Sequence, residues 1–164
     1  MNAGTNAGST WDVIECVTIL RPNGVTSVVR RDEVTVGYRV TSLPSDCLVV
    51  DATLRAIKGN PDEVREEVRN IYRKRLETQP LSYPNAGSVF KNPAGDYAGR
   101  LIDQLGLKGA CVGAAQISPK HANFIINLGQ ASADEVLALI DYVKRQVYDR
   151  SGILLEEEVQ IVGE

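Results

Sequence analysis

Hydrophobic and polar positions along this chain follow two rhythms. Two β-rich runs, residues 13 to 20 and 25 to 30, flank Arg-Pro-Asn-Gly, and the Asn23-Gly24 pair predicts an antiparallel hairpin with a two-residue turn. From Leu48 to Ile57 the alternation is regular. Leu48, Val50, Ala52 and Leu54 stand against Val49, Asp51, Thr53 and Arg55, which predicts a strand with one buried face. The period then lengthens. Asn60 can cap a helix, Pro61 suits its first position and Glu63 completes a capping-box spacing. Val64, Val68, Ile71, Tyr72 and Leu76 recur after it as an apolar stripe predicted to be buried.

Further along, Ala98, Leu101, Ile102 and Leu105 mark a short helix ended by Gly106, and Gly109 and Gly113 punctuate the crossing that follows. Phe124 to Asn127 reads as a buried strand. Ser132 and Glu135 form a second capping box, opening a helix with apolar positions Val136, Leu139, Ile140, Val143 and Val147 that closes at Gly152. A last strand is predicted from Ile153 to Val162. Strands first, then helices mixed with single strands, place the chain in the α+β class. No internal repeat occurs, and neither a Gly-x-Gly-x-x-Gly loop nor a P-loop is present.

Composition narrows the picture. A chain of 164 residues suffices for one ordinary core or two small lobes, and nothing forbids a fragment. With net charge −3 and 43% hydrophobic residues it has the balance of a soluble globular protein, which disfavours bulk nucleic-acid binding. No apolar run approaches the roughly 18 residues of a membrane span, and the first ten residues lack the basic and apolar regions of a secretory signal, so the expected location is the cytoplasm. Cys16, Cys47 and Cys111 are odd in number and widely separated, which favours reduced structural thiols. His121 has no Cys or His at ligand spacing, so no metal site is expected.

Candidate chemistry centres on residues 84 to 93, Pro-Asn-Ala-Gly-Ser-Val-Phe-Lys-Asn-Pro. Both flanking prolines fix φ and withhold an N–H, so the stretch reads as a rigid polar loop presenting Ser88, Lys91 and Asn92 to an anionic or sugar-like ligand. Arg39 in Val-Gly-Tyr-Arg and Glu158 in Leu-Glu-Glu-Glu-Val also stand out from their surroundings. Each has a plainer reading as well: a turn hydroxyl for Ser88, an exposed arginine for Arg39 and a solvent-facing acidic strand for Glu156 and Glu158. His121 could pair with Ser88, but the Gly-x-Ser-x-Gly elbow is broken by Phe90 and no orienting acid stands out, so a hydrolase is disfavoured.

Met-Asn-Ala-Gly at the start, Val-Gly-Tyr-Arg at 36 to 39, the decapeptide at 84 to 93, and Ala-Gly-Arg-Leu-Ile-Asp-Gln-Leu-Gly-Leu-Lys-Gly at 98 to 109 together resemble one family. So do His-Ala-Asn-Phe-Ile-Ile-Asn at 121 to 127 and Leu-Glu-Glu-Glu-Val at 155 to 159. The family is UDP-N-acetylenolpyruvoylglucosamine reductase, also called UDP-N-acetylmuramate dehydrogenase. The resemblance implies an FAD-bound oxidoreductase that uses NADPH to reduce the enolpyruvyl ether of a UDP-sugar for peptidoglycan synthesis. Matched motif to motif, it implies Ser88 as proton donor, Arg39 and Glu158 as active-site groups, and Asn92, Lys91 and Tyr38 as substrate contacts. Asn2 and Gly4 match a segment near the flavin.

The same resemblance implies the carboxyl-terminal portion of such an enzyme. Residues 1–79 would be the remnant of a vanillyl-alcohol-oxidase-like FAD-binding domain, 80–152 a small α+β substrate-binding domain, and 153–164 a strand returning toward the flavin side. Most of the flavin domain would lie upstream, leaving the isolated chain inactive. The alternative is a stand-alone sugar-nucleotide-binding or regulatory module without redox activity.

Overall fold

A computed structural model describes residues 2–5 and 8–163. They form two compact units, one ending at Asn60 and the other beginning at Pro61. Every strand pair among the described residues is antiparallel, in keeping with the α+β expectation.

The first unit opens with β1 (Gly4–Thr5) paired to β2 (Gly8–Ser9), and a 3-10 turn at Thr10–Asp12 follows. Next come β3 (Ile14–Leu20), β4 (Thr26–Arg30), the two-stranded hairpin of β5 (Val36–Gly37) and β6 (Val40–Thr41), and β7 (Leu48–Leu54). β3 is central in the order β4-β3-β7, and Val17 and Ile19 on its inner face pack with Trp11, Ile14 and Val34.

Two expectations are corrected in this unit. The β3–β4 turn is not a two-residue one. Gly24 N–H donates to Arg21 O at 2.9 Å, Arg21 N–H donates to Val25 O at 3.0 Å, and Gly24 takes φ +79°, which makes a three-residue loop with a left-handed glycine. Pro22 has no N–H for the ladder that a tighter turn would require. Second, β7 has no buried face: Leu48, Val50 and Leu54 are all exposed, because the core among the described residues of this unit takes its side chains from β3 and the turns beside it and none from β7.

The second unit begins with α1 (Pro61–Thr78), whose predicted apolar stripe is present but exposed, Val68 at 60% and Leu76 at 44%. The amphipathic period is real; burial does not follow from it. After α1 come β8 (Asn85–Ser88), α2 (Ala98–Gln104), β9 (Cys111–Val112), β10 (Ala115–Ile117), β11 (Phe124–Asn127) and α3 (Ala133–Ser151). The sheet order is β8-β11-β10-β9, and α3 packs its Leu139, Ile140, Val143 and Val147 into a core with Phe90, Ile102, Ile117 and Leu155. Ser132 caps α3 by accepting Glu135 N–H, and Gly152 ends it at φ +70°, as the sequence pattern predicts.

The predicted last strand is reduced to one bridge, Phe90 to Glu157. Lys91 N–H donates to Glu156 O at 2.8 Å and Glu158 N–H to Val89 O at 2.7 Å. The ladder stops there because Asn92 turns toward α2, accepting Ala98 N–H, and Pro93 has no donor.

Gly113 is a sensitive position. It sits at φ +54°, and a Cβ there would overlap the Glu135 carboxylate, which accepts Ser132 N–H at 3.0 Å and Ala114 N–H at 3.3 Å. Gly113→Ala is therefore expected to destabilise by about 2 kcal/mol, through backbone strain and displacement of the cap together. Ser132→Ala should cost only about 1 kcal/mol. Denaturant unfolding of both variants checks this order; equal losses would show that Glu135 moves aside freely.

Candidate functional site

Ser88 ends β8, an edge strand rather than a free loop, and faces Phe124 across the ladder. The register shifts between Phe124 and Ile126, so β8 carries one residue more than its partner there. Gly87 takes φ +85° in this bulge, and a Cβ built on it would meet nothing. The glycine thus serves backbone conformation rather than close approach.

The residues after Ser88 are held from both sides. Asn123, 4% exposed, accepts Phe90 N–H at Oδ1 (2.9 Å) and donates from Nδ2 to Phe90 O (2.8 Å), and its own backbone carbonyl accepts Val89 N–H (2.9 Å). Opposite, the 156–159 segment supplies the pairings already described. Glu158, half-buried, is thereby bonded through its backbone to the residue next to Ser88. Its neighbours are engaged elsewhere: Glu156 pairs with Lys91 at 3.2 Å and Glu157 with Lys144 at 2.7 Å. Burial alone would raise the Glu157 carboxyl, but Lys144 and a backbone hydrogen bond hold it below its usual value.

Ser88 lines a cleft of about 440 Å³ with Asn92, Tyr97, Arg100, Lys108 and His121. Lys91 and Glu158 lie outside that lining. Three cations border it, each with a protein partner: Arg100 with Asp96, Lys108 with Asp103 at 2.8 Å, and Lys120 with the carbonyl of Leu76 near the end of α1 at 2.8 Å. Such a wall suits an anionic ligand whose oxygens can share or displace these partners. Lys108, Arg100, Tyr97 and Asn123 were not singled out in sequence; a polar Asn123 inside the apolar run from Ala122 to Ile126 was the available signal for one of them.

His121 projects into the same cleft as Ser88. Its Nδ1 accepts Asn123 N–H at 3.2 Å, so in the neutral ring the proton sits on Nε2. The Phe124 ring lies edge-on to it, with centroids 4.7 Å apart. Burial lowers its pKa below 6.5 and Lys108 adds to this, against smaller opposing pulls from a hydrogen bond to its own backbone and from Asp103.

Asn2, Gly4, Tyr38 and Arg39 line a second cleft of about 440 Å³, wholly within the first unit. Arg39 is the second residue of the two-residue turn joining β5 and β6. It takes φ +59°, a strained conformation for an arginine, with its guanidinium 5.0 Å from the Tyr38 ring centre. Buried Asn2 donates to Gly37 O and accepts Trp11 N–H, both at 3.2 Å, which ties this hairpin to the core. A Cβ on Gly4 would stand 3.5 Å from Arg39 Nη1, an ordinary contact that places this glycine directly beside the guanidinium. Glycine backbone beside an aromatic ring and a cation is a wall that a flat, phosphate-bearing cofactor such as FAD fits.

The family model described as UDP-N-acetylenolpyruvoylglucosamine reductase, C-terminal domain, matches residues 79–162. This chain belongs to the UDP-N-acetylenolpyruvoylglucosamine reductase family. A reductase of that name from Moorella thermoacetica is 46% identical over all of this chain and 54% of its own length. Another from Symbiobacterium thermophilum is 47% identical over 99% of this chain and 53% of its own. The crystal structure of UDP-N-acetylenolpyruvylglucosamine reductase from Thermus caldophilus superposes with a TM-score of 0.84 at 40% identity, covering 98% of this chain and 57% of that one. The chain thus spans about half the length of the curated relatives it matches.

The lowered His121 pKa has a signed consequence. An unfolded histidine binds its proton at higher pH than the folded one, so stability from neutral His121 is full above about pH 6.5 and is lost as pH falls through the lowered folded value. Unfolding followed across that range should show a slope that His121→Asn removes. An unchanged slope would place the titration elsewhere.

Proposed function

We propose that the whole protein to which this chain belongs reduces the enolpyruvyl ether of a UDP-sugar to the corresponding lactyl ether, in the cytoplasmic steps of peptidoglycan synthesis. The observation that carries this reading is Ser88, set by a clamped strand end at the wall of a cation-bordered cleft in a chain of this family. When bound, FAD supplies the hydride, taken from NADPH, that adds to the terminal methylene of the enolpyruvyl group. Asn2 and Gly4 would border it at the first unit's cleft, and Tyr38, beside Arg39 in the same lining, would contact the substrate.

Hydride addition leaves negative charge on the ether-bearing carbon and its carboxylate. Arg39 answers that charge with a planar pair of donors, and its strained turn suits a side chain held ready rather than free to relax. Ser88 delivers a proton to the ether-bearing carbon, a step within reach of a hydroxyl because the acceptor is strongly basic. Glu158 orients the substrate carboxyl or shares its proton. Asn92 and the cations of the Ser88 cleft hold the sugar diphosphate, with Lys91, outside that lining, as a further contact.

The test is a full-length protein carrying this chain, loaded with FAD. NADPH should bleach the flavin, and the enolpyruvyl substrate should restore it. Ser88→Ala is expected to leave bleaching within about twofold and slow restoration about a thousandfold, the mark of a group acting in one transition state only. Equal loss in both halves would refute the assignment of Ser88. Binding of UDP-sugar with no flavin chemistry would point to a binding module.

A further inference from the structure

We propose that Asn123 is a positioning residue for Ser88, acting through the Phe90 peptide and itself held by neutral His121. The proposal rests on the reading of Ser88 as proton donor. Its geometry is independent of that reading.

A strand end normally loses its alignment where its partner strand turns away. β11 starts at Phe124, so beyond Ser88 no backbone of that strand remains to pair with Phe90. The Asn123 side chain fills the gap. Its amide offers one acceptor and one donor at about the spacing of a peptide group, and both contacts to Phe90 are buried. Phe90 itself is 2% exposed, anchored in the core among residues of α2 and α3. Rotation of the Ser88 backbone would therefore have to break two buried hydrogen bonds or drag a core aromatic ring.

Asn123 is fixed in turn by its own N–H, which His121 Nδ1 accepts. A protonated imidazole is a donor at both nitrogens and cannot accept that bond. Charged and titratable groups line the cleft that His121 enters from each neighbouring element: Tyr97, Arg100 and Asp103 from α2 and its approach, Lys108 from the turn after it, and Lys120 from the loop of His121 itself. Lys108 opposes a positive charge on the imidazole, and Asp103, which favours one, is already paired with Lys108. The bond from Asn123 to His121 therefore holds at neutral pH and opens in acid.

The clamp is tested on the chain itself by amide hydrogen exchange. Asn123→Ala should speed exchange at Phe90 about tenfold or more while leaving the α3 amides within about twofold. Lowering pH from neutrality through the depressed titration of His121 should loosen Phe90 in the parent protein beyond the intrinsic pH effect. His121→Asn, whose side-chain carbonyl accepts the same i+2 N–H at any pH, should abolish that loosening. No change at Phe90 in Asn123→Ala, or the same acid loosening in His121→Asn, overturns the clamp.

Positioning is tested in the flavin-loaded full-length protein. Asn123→Ala should slow the substrate half-reaction about 10- to 100-fold, with substrate affinity and the NADPH half-reaction within about twofold. In a Ser88→Ala background the same change should add almost nothing, because its effect passes through the missing hydroxyl. Additive losses would make Asn123 a general structural residue and overturn the proposal. A parent protein without any substrate half-reaction would refute the functional reading instead, while the exchange result at Phe90 would still decide the clamp.

Discussion

Peptide groups at Val89, Phe90 and Lys91 run through the interior of the second unit, and none can be left without a partner there at acceptable cost. The approach of the 156–159 segment to the residues after Ser88 follows from how they are paired. Asn123 takes the groups on one side with its side chain and its carbonyl, and the 156–159 segment takes those on the other. Ser88 enters this stretch from β8, and Glu158 is attached to it by its own N–H. Residues far apart in sequence are thereby brought into one hydrogen-bonded neighbourhood, whatever the rest of the protein contributes.

A loop bracketed by prolines would be a poor place for a precise hydroxyl if it floated. Here Phe90 anchors it in the core, the Gly87 bulge turns it, and Asn92 ties its far end to the start of α2. Pro93 then prevents the C-terminal segment from extending into a full strand. A longer ladder would cover more of the loop; a single bridge fixes its middle and leaves Ser88 and Asn92 at the cleft. Across the first unit a comparable device operates on a smaller scale, where buried Asn2 ties the Arg39 hairpin to Trp11.

Local signals in the sequence identified most elements and several ends correctly: the helix from Pro61, the capping box at Ser132, the left-handed stop at Gly152 and the strand from Phe124 to Asn127. These are decided within a few residues by hydrogen bonds the chain makes with itself. Pairing partners were less legible. β5, β6, β9 and β10 are two or three residues each, too short to show a period, and are strands only because of what lies beside them. Asn123 is illegible for the same reason: a buried asparagine acquires meaning from Phe90, 33 positions away.

The exposed stripe of α1 and the exposed residues of β7 mark a different boundary of what a pattern can say. Period 3.6 or period 2 states which positions share a face; it is silent on what, if anything, lies against that face. In α3 the same kind of stripe is buried because β9 and β10 stand against it, and in α1 it is not. Burial is therefore a property of the partner as much as of the pattern. The same holds at the candidate site. Motif matching nominates Ser88, Arg39 and Glu158; what the fold adds at Ser88 is the pair of hydrogen bonds from Asn123 to Phe90 and the burial of that ring two residues on.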